Sequence, residues 1–246
     1  MLLPSDRLLR GDREVWARLH RADVILAQHP SWPARQDRAL AEIARFDAAG
    51  PCYAGVSWGK DSVVLAHLIE LYAQRNGRRL PLVWVSVLGA GNPDCPRVRD
   101  AFLAEHDVDY HEITVEIDLD EDGRRVGKGM LARGFALAAE RWGRRYVSGV
   151  RADESGARKA RMRHWGACSD NTCAPIGWWK TPEIFAYLER HNLPVHPAYA
   201  MTYAGTYDRN RLRVATIGGE RGTEFGRRQH ERLYYLDVLR AIGEER

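Results

Sequence analysis

A change of rhythm between residues 52 and 72 constrains this chain most. An apolar run from Cys52 to Val56 passes through Ser57-Trp58-Gly59-Lys60-Asp61-Ser62 into a helix-patterned stretch from Val63 to Tyr72. A strand entering a helix through a short, small and polar loop aims backbone N–H groups and the positive end of a helix dipole at one spot. Lys60 adds an ammonium group and Ser57 and Ser62 add hydroxyls, so a phosphate chain is the natural guest. On these residues alone, an ordinary strand-to-helix turn with a solvated Lys60 stays open.

The alternation continues downstream. Leu82 to Val87 is a β-branched run closed by Gly89-Ala90-Gly91-Asn92-Pro93 and followed by helix-like Arg97 to His106. Tyr110 to Ile117 reads as a third strand, Leu131 to Trp142 as a helix and Tyr146 to Val150 as a fourth strand. Thr181, as N-cap with Pro182 in the first turn, starts a helix that reaches about Asn192. Strands separated by helices predict an α/β fold: a three-layer, mostly parallel twisted sheet with helices on both faces. Ligands of such sheets sit beyond the carboxyl ends of the strands, which places the loops after Val56, Val87 and Val150 around one crevice. Residues 1–48 read as a helical lead-in, 49–200 as the nucleotide-binding α/β domain, and 201–246 as a tail packed on that domain. The tail carries Gly218-Gly219-Glu220-Arg221-Gly222 and a final helix from Glu231 to Ile242.

At 246 residues the chain can bury one sizeable core. Hydrophobic content of 45% and charged content of 28% exclude a disordered chain. No apolar run approaches the ~20 residues of a spanning helix, and Met1 to Arg7 meets charge too early for a secretory leader. The expectation is a cytoplasmic protein with no membrane partner. A net charge of +4 is compatible with an anionic ligand or a nucleic acid and selects neither. The four cysteines are too few and scattered for a disulfide scaffold, and a cytosolic setting predicts that they stay reduced.

A second constellation follows the fourth strand: Gly149-Val150-Arg151-Ala152-Asp153-Glu154-Ser155-Gly156-Ala157-Arg158-Lys159-Ala160-Arg161. Guanidinium groups here can clamp phosphate oxygens and stabilise charge building on a phosphoryl group. The alternative is a solvated helix face whose exposed pairs are worth little. Cys168 and Cys173, spaced C-x4-C beside His164 and Asp170, leave three readings open: structural thiols, a sulfur relay, or a metal or cluster site. Cys52 reads as core, and His191 and His196 take no role.

A Walker A loop is ruled out, because Ala54 stands where its first Gly belongs and Asp61 follows Lys60. Ser57-Trp58-Gly59-Lys60-Asp61-Ser62 instead resembles the PP-loop, Ser-Gly-Gly-x-Asp-Ser, with Trp58 in place of the first Gly. The Gly149–Arg158 stretch is similar to the Gly-x-Arg-x-x-Glu-Ser-x-x-Arg element of phosphoadenylylsulfate (PAPS) reductase-like proteins. Pro175-Ile176-Gly177-Trp178 through Leu188, then Leu193-Pro194-Val195-His196-Pro197-Ala198-Tyr199, resemble the elements that follow it there. Together they cover roughly residues 50 to 200 and identify a member of the adenine nucleotide alpha-hydrolase-like superfamily, with its Rossmann-like fold.

The resemblance implies that Ser57, Trp58, Gly59, Lys60, Asp61 and Ser62 hold the beta- and gamma-phosphates of ATP, and that Gly149 and Arg151 border the nucleotide. Arg158 and Arg161 would face the alpha-phosphate or the acceptor, and backbone from Val85 to Leu88, Val87 included, would read the adenine edge. Lys60, Asp61, Arg151, Arg158 and Arg161 form the implied catalytic set. Asp61 is either a magnesium contact or a helix cap. The implied reaction cleaves ATP to pyrophosphate and AMP, or an adenylated acceptor, with sulfur transfer as its purpose. Members lacking a redox tail include the ATPases of DNA phosphorothioation systems, which implies DNA and a cysteine desulfurase as partners, in a homo-oligomer.

Three further readings stay open. A sulfonucleotide reductase is disfavoured because no Cys follows Cys173 in the chain, which ends Gly243-Glu244-Glu245-Arg246. A sulfate adenylyltransferase subunit predicts sulfate-dependent pyrophosphate exchange. A non-catalytic nucleotide-binding regulatory subunit is motivated by a bulky Trp58 beside the phosphates.

Overall fold

The buried, mostly apolar central strands need cover on both faces, and helices supply it. The computed structural model describes residues 1–89, 91–116, 129–212, 214, 216–218 and 227–244. Ala90, Ile117, the Gly219–Gly222 part of the glycine patch and the last two residues lie outside the described residues. Two helices lead in, α1 (Arg10–Ala27) and α2 (Trp32–Ala48). Then β1 (Tyr53–Val56), α3 (Lys60–Asn76), β2 (Leu82–Val87), α4 (Cys95–Leu103), β3 (Tyr110–Val115), α5 (Met130–Trp142) and β4 (Tyr146–Ser148) alternate. They are followed by α6 (Gly156–Trp165), β5 (Thr172–Cys173), α7 (Thr181–Arg190), α8 (Arg227–Tyr234) and α9 (Leu236–Ala241).

The five strands form one sheet in the order β3-β2-β1-β4-β5, every pair parallel. The expected α/β fold is therefore present. Alternate residues of each strand serve opposite faces. Ala54, Val56, Leu82, Trp84 and Val147 join α2, α3, α4 and α7 in the main core. On the other face Tyr53 and Val83 pack on Ala138 and Trp142 of α5. That helix comes close: a Cβ on Gly134 would stand 2.2 Å from Val85 Cγ1. Strand order reverses between β1 and β4, which opens a crevice at their carboxyl ends.

Several boundaries differ from the expected ones for local reasons. β4 stops at Ser148, and α7 ends at Arg190. The N-cap of α7 is Lys180, not Thr181, because the Thr181 amide and hydroxyl both donate to Asp153 Oδ2, at 2.9 and 3.0 Å. The last helix is broken at Tyr235, whose buried ring sits between α8 and α9 with φ −133° and ψ 32°. Buried charges hold the tail to α1. Asp12 accepts from the amides of Thr202 and Ala204 at 3.1 Å each, and Arg209 forms a two-bond pair with Asp23 at 2.6 and 2.8 Å. No helix among the described residues is long and apolar enough to cross a membrane.

Two buried histidines, His196 just before the tail and His230 within it, make stability depend on pH. Burial pushes His196 down to about 3, with Arg97 adding to the effect, and burial pushes His230 down to about 4. An unfolded histidine titrates near 6.5. Below that pH the unfolded chain takes protons that the folded chain refuses, so stability is full above about 6.5 and falls as the pH drops toward about 4 for His230 and about 3 for His196. We expect a loss of about 2 kcal/mol per histidine at pH 5, read as a lower urea midpoint than at pH 7. Equal midpoints at the two pH values would contradict this account.

Candidate active site

At the end of β1 the chain turns through Ser57, Trp58 and Gly59 and enters α3 at Lys60. Gly59 is the N-cap, and the first intrahelical bond runs from the Val63 amide to the Gly59 carbonyl at 3.0 Å. The amides of Asp61 and Ser62 therefore have no carbonyl a turn behind them, the arrangement that attracts anions. Ser57 is exposed; its amide donates to Ser62 Oγ, and the two hydroxyls lie 3.0 Å apart. The Lys60 amide donates to the Tyr199 hydroxyl at 3.1 Å. Close packing sets the glycine: a Cβ on Gly59 would meet Val214 Cγ2 at 2.8 Å and the Tyr199 hydroxyl at 3.0 Å.

Trp58 shows why a Gly would be at ease in its place. Its backbone is left-handed, with φ 59°, which costs a non-glycine residue about 1–2 kcal/mol. Its indole is 0% exposed and packs on Phe102 and Tyr110, with ring centroids 5.6 Å away in each case. The indole is packed into the core and exposes no surface at the loop, which corrects the expectation of a bulky side chain standing beside bound phosphates. Trp58 can meet a ligand only through its backbone.

The segment after β4 arrives at the same place. Arg151 is 0% exposed, and its Nε donates to Asp61 Oδ1 at 2.6 Å. Its other nitrogens donate to the Trp179 carbonyl and to Thr181 Oγ1, each at 3.1 Å. Lys60, 4% exposed, places Nζ 3.0 Å from Asp61 Oδ2 and 4.9 Å from the centre of the Tyr199 ring. Gly149 runs against the helix start; a Cβ there would meet the Asp61 carbonyl oxygen at 3.0 Å. Burial and the nearby Asp61 hold Tyr199 as a phenol, its pKa well above the usual range. Tyr199, Asp153 and Thr181 thus build the site although sequence reasoning gave them no role; the signal for Tyr199 was its place at the end of a family-like element.

The charged side chains largely balance. Lys60 and Arg151 face Asp61 and Asp153, and Arg158 pairs with Glu154. Attraction for an anion therefore rests on loop amides and the start of α3 more than on net side-chain charge. Asp61 forms no cap bond, since Gly59 is the N-cap. Both its oxygens are engaged by cations, so the residues fit a magnesium ion carried on phosphate oxygens and water better than one in a protein cage. Arg158 is half-buried at the start of α6, and Arg161 is exposed and reaches Thr172 Oγ1 at 3.4 Å. Val87 is buried at the end of β2, with Leu88 exposed after it.

Cys168 and Cys173 are joined in a disulfide, which corrects the expectation of reduced thiols. A tight turn at Ser169–Thr172, closed by the Ser169 amide on the Thr172 carbonyl at 2.8 Å, brings their Cα atoms to 4.0 Å. Neither sulfur can accept or relay a sulfur atom until that bond is reduced. Cys95 is buried, its thiol pushed up to about 12 by burial and by Asp94.

No protein-family model and no curated protein matches this chain. Among solved structures the chain is similar to PAPS reductase from Candida auris in a phosphate complex, at 12% identity over 73% of this chain and 88% of that one, TM-score 0.48. It is also similar to the U34-tRNA thiolase NcsA from Methanococcus maripaludis with its 4Fe–4S cluster, at 15% identity over 84% and 77%, TM-score 0.45. A third is NAD+ synthetase from Burkholderia pseudomallei, at 15% identity over 92% and 94%, TM-score 0.44. At these values the likenesses assign neither site nor activity.

Two substitutions test the site's construction. Arg151→Ala leaves Asp61 partly unpaired and takes the donor from the Trp179 carbonyl and Thr181 Oγ1, and we expect a loss of about 3–5 kcal/mol in chemical denaturation. Trp58→Gly relieves the backbone yet empties a core position, so we expect net destabilisation of about 2–4 kcal/mol. A more stable Trp58→Gly protein would show that backbone strain outweighs packing.

Proposed function

We propose that the chain is a PP-loop ATP pyrophosphatase of the PAPS reductase-like kind. One observation carries this reading: the loop after β1 and the arginine segment after β4 meet at the strand-order reversal, bonded through Arg151 and Asp61. Amides at the start of α3 hold the beta- and gamma-phosphates of ATP, and Lys60 transfers its ammonium contact from Asp61 to a phosphate oxygen. An acceptor oxygen attacks the alpha-phosphorus; the bond to the bridging oxygen breaks, and pyrophosphate leaves with the electron pair. Magnesium bound to the phosphates supplies charge neutralisation on that leaving group. Arg151, being buried, positions Asp61 and thereby Lys60, while Arg158 and Arg161 lie on the solvent side, where an acceptor arrives.

The acceptor in this reading is a nucleic acid, with DNA phosphorothioation as the process served and a cysteine desulfurase as the sulfur source. Support comes from α6, where Lys159, Arg161 and Arg163 are exposed and only Met162 is buried. Trp165 is 69% and Trp178 53% exposed, available for base stacking, whereas Trp179 is core. Reduced Cys168 and Cys173, beyond the end of α6, would offer thiols for sulfur transfer.

Incubation with labelled ATP, magnesium and single-stranded DNA tests both halves. The expected products are pyrophosphate and AMP or adenylated DNA, and Lys60→Ala should cut the rate about 100-fold or more. Absence of pyrophosphate under all conditions, or an unchanged Lys60→Ala rate, would refute nucleotide cleavage.

A further inference from the structure

His67 and Glu70 stand one turn apart on α3 and so share a face. That face meets His106, just beyond α4, and His191, the first residue after α7. His67 and Glu70 are 7% and 8% exposed, and one ligand atom from each of His67, Glu70 and His106 lies within 4.8 Å of the other two. The rings of His67 and His191 are 4.6 Å apart, centre to centre, and those of His67 and His106 5.5 Å. Among the described residues His191 Nε2 is shielded from solvent and has no hydrogen-bond partner. Three imidazoles and a carboxylate gathered in a largely buried space, one of them unsatisfied, call for an explanation that packing does not supply.

We propose that His67, Glu70 and His106 bind one zinc-type divalent transition metal ion, with His191 as the fourth donor. Three nitrogens and one oxygen suit zinc and its first-row neighbours, whereas magnesium and calcium prefer oxygen throughout. Tetrahedral zinc bonds of about 2.0–2.1 Å put donor atoms about 3.3 Å apart, within side-chain rotation of the spacing among His67, Glu70 and His106. Outer contacts already orient the donors. His67 Nδ1 is hydrogen-bonded to the Tyr187 hydroxyl at 2.9 Å, which leaves Nε2 for a metal. Glu70 Oε1 accepts from the Asp107 amide at 3.2 Å, which leaves Oε2 for the ion. The 2.6 Å contact between Glu70 Oε2 and His106 Nδ1 is the one a metal would replace. Such an ion would tie α3, whose first residue is Lys60, to α4 and α7. It is independent of the reaction proposed above.

The test is titration of untagged, metal-stripped full-length protein with zinc by calorimetry and with cobalt by visible absorption. The expected result is one equivalent bound and the intense bands of tetrahedral cobalt. Glu70→Gln, which keeps the side chain's shape, and His106→Gln should each weaken binding about tenfold or more. Circular dichroism establishes that each variant is folded; if His106→Gln is not, Glu70→Gln decides. A Cys168→Ser, Cys173→Ser double variant should bind as the parent does, which separates this site from the second group of candidate donors, Glu42, Cys168 and Cys173. No binding by the folded parent, or binding abolished in the cysteine variant and unchanged in Glu70→Gln, would overturn the proposal.

Discussion

Asp61 holds two cations at once, Lys60 through one oxygen and Arg151 through the other. A guanidinium removed from water cannot be left without acceptors, and Arg151 finds all of its own at one junction: Asp61, the Trp179 carbonyl and Thr181. Those acceptors belong to the start of α3 and to the approach and first residue of α7. Satisfying one buried charge therefore fixes how three segments distant in sequence meet. The Lys60 ammonium is held in this network by the second carboxylate oxygen of Asp61, and under the proposed function a phosphate oxygen takes that place.

The sheet explains why the junction lies where it does. β1 has β2 on one side and β4 on the other, so the chain leaves the two central strands toward opposite flanks and opens a gap at their carboxyl ends. The loop after β1 fills its own underside with Trp58. That residue accepts a left-handed backbone because the buried indole, packed at a tilt against Phe102 and Tyr110, offsets the strain. The loop's upper side is left to small groups and free amides, the surface a phosphate chain requires.

Much of this was legible residue by residue. β2 appears with its expected ends because a six-residue run with five apolar residues, three of them β-branched, favours a buried strand. β5 was not legible: two residues carry no periodic signal. α6 was ambiguous because a helix burying only Met162 has almost no apolar face to display. Thr181 looks like a cap in sequence, yet Asp153, brought in by the 3-10 turn at Ala152–Glu154, claims both its donors. The cysteines at 168 and 173 gave no hint of pairing, since only the reversal at Ser169–Thr172 faces them. His67, Glu70, His106 and His191 lie on three separate elements, and spacing along the chain does not reveal that they converge.

The order of strands and helices, and the residues that make an anion-seeking loop at Ser57–Ser62, follow from the chain's own pattern, because periodicity and turn chemistry act over a few neighbours. Which residues face that loop did not. The burial of Arg151, the role of Tyr199, the inward turn of Trp58 and the meeting of His67 and Glu70 of α3 with His106 and His191 depend on contacts between segments tens of residues apart. Only packing of the whole chain, with each buried charge obliged to find its partner, decides those contacts.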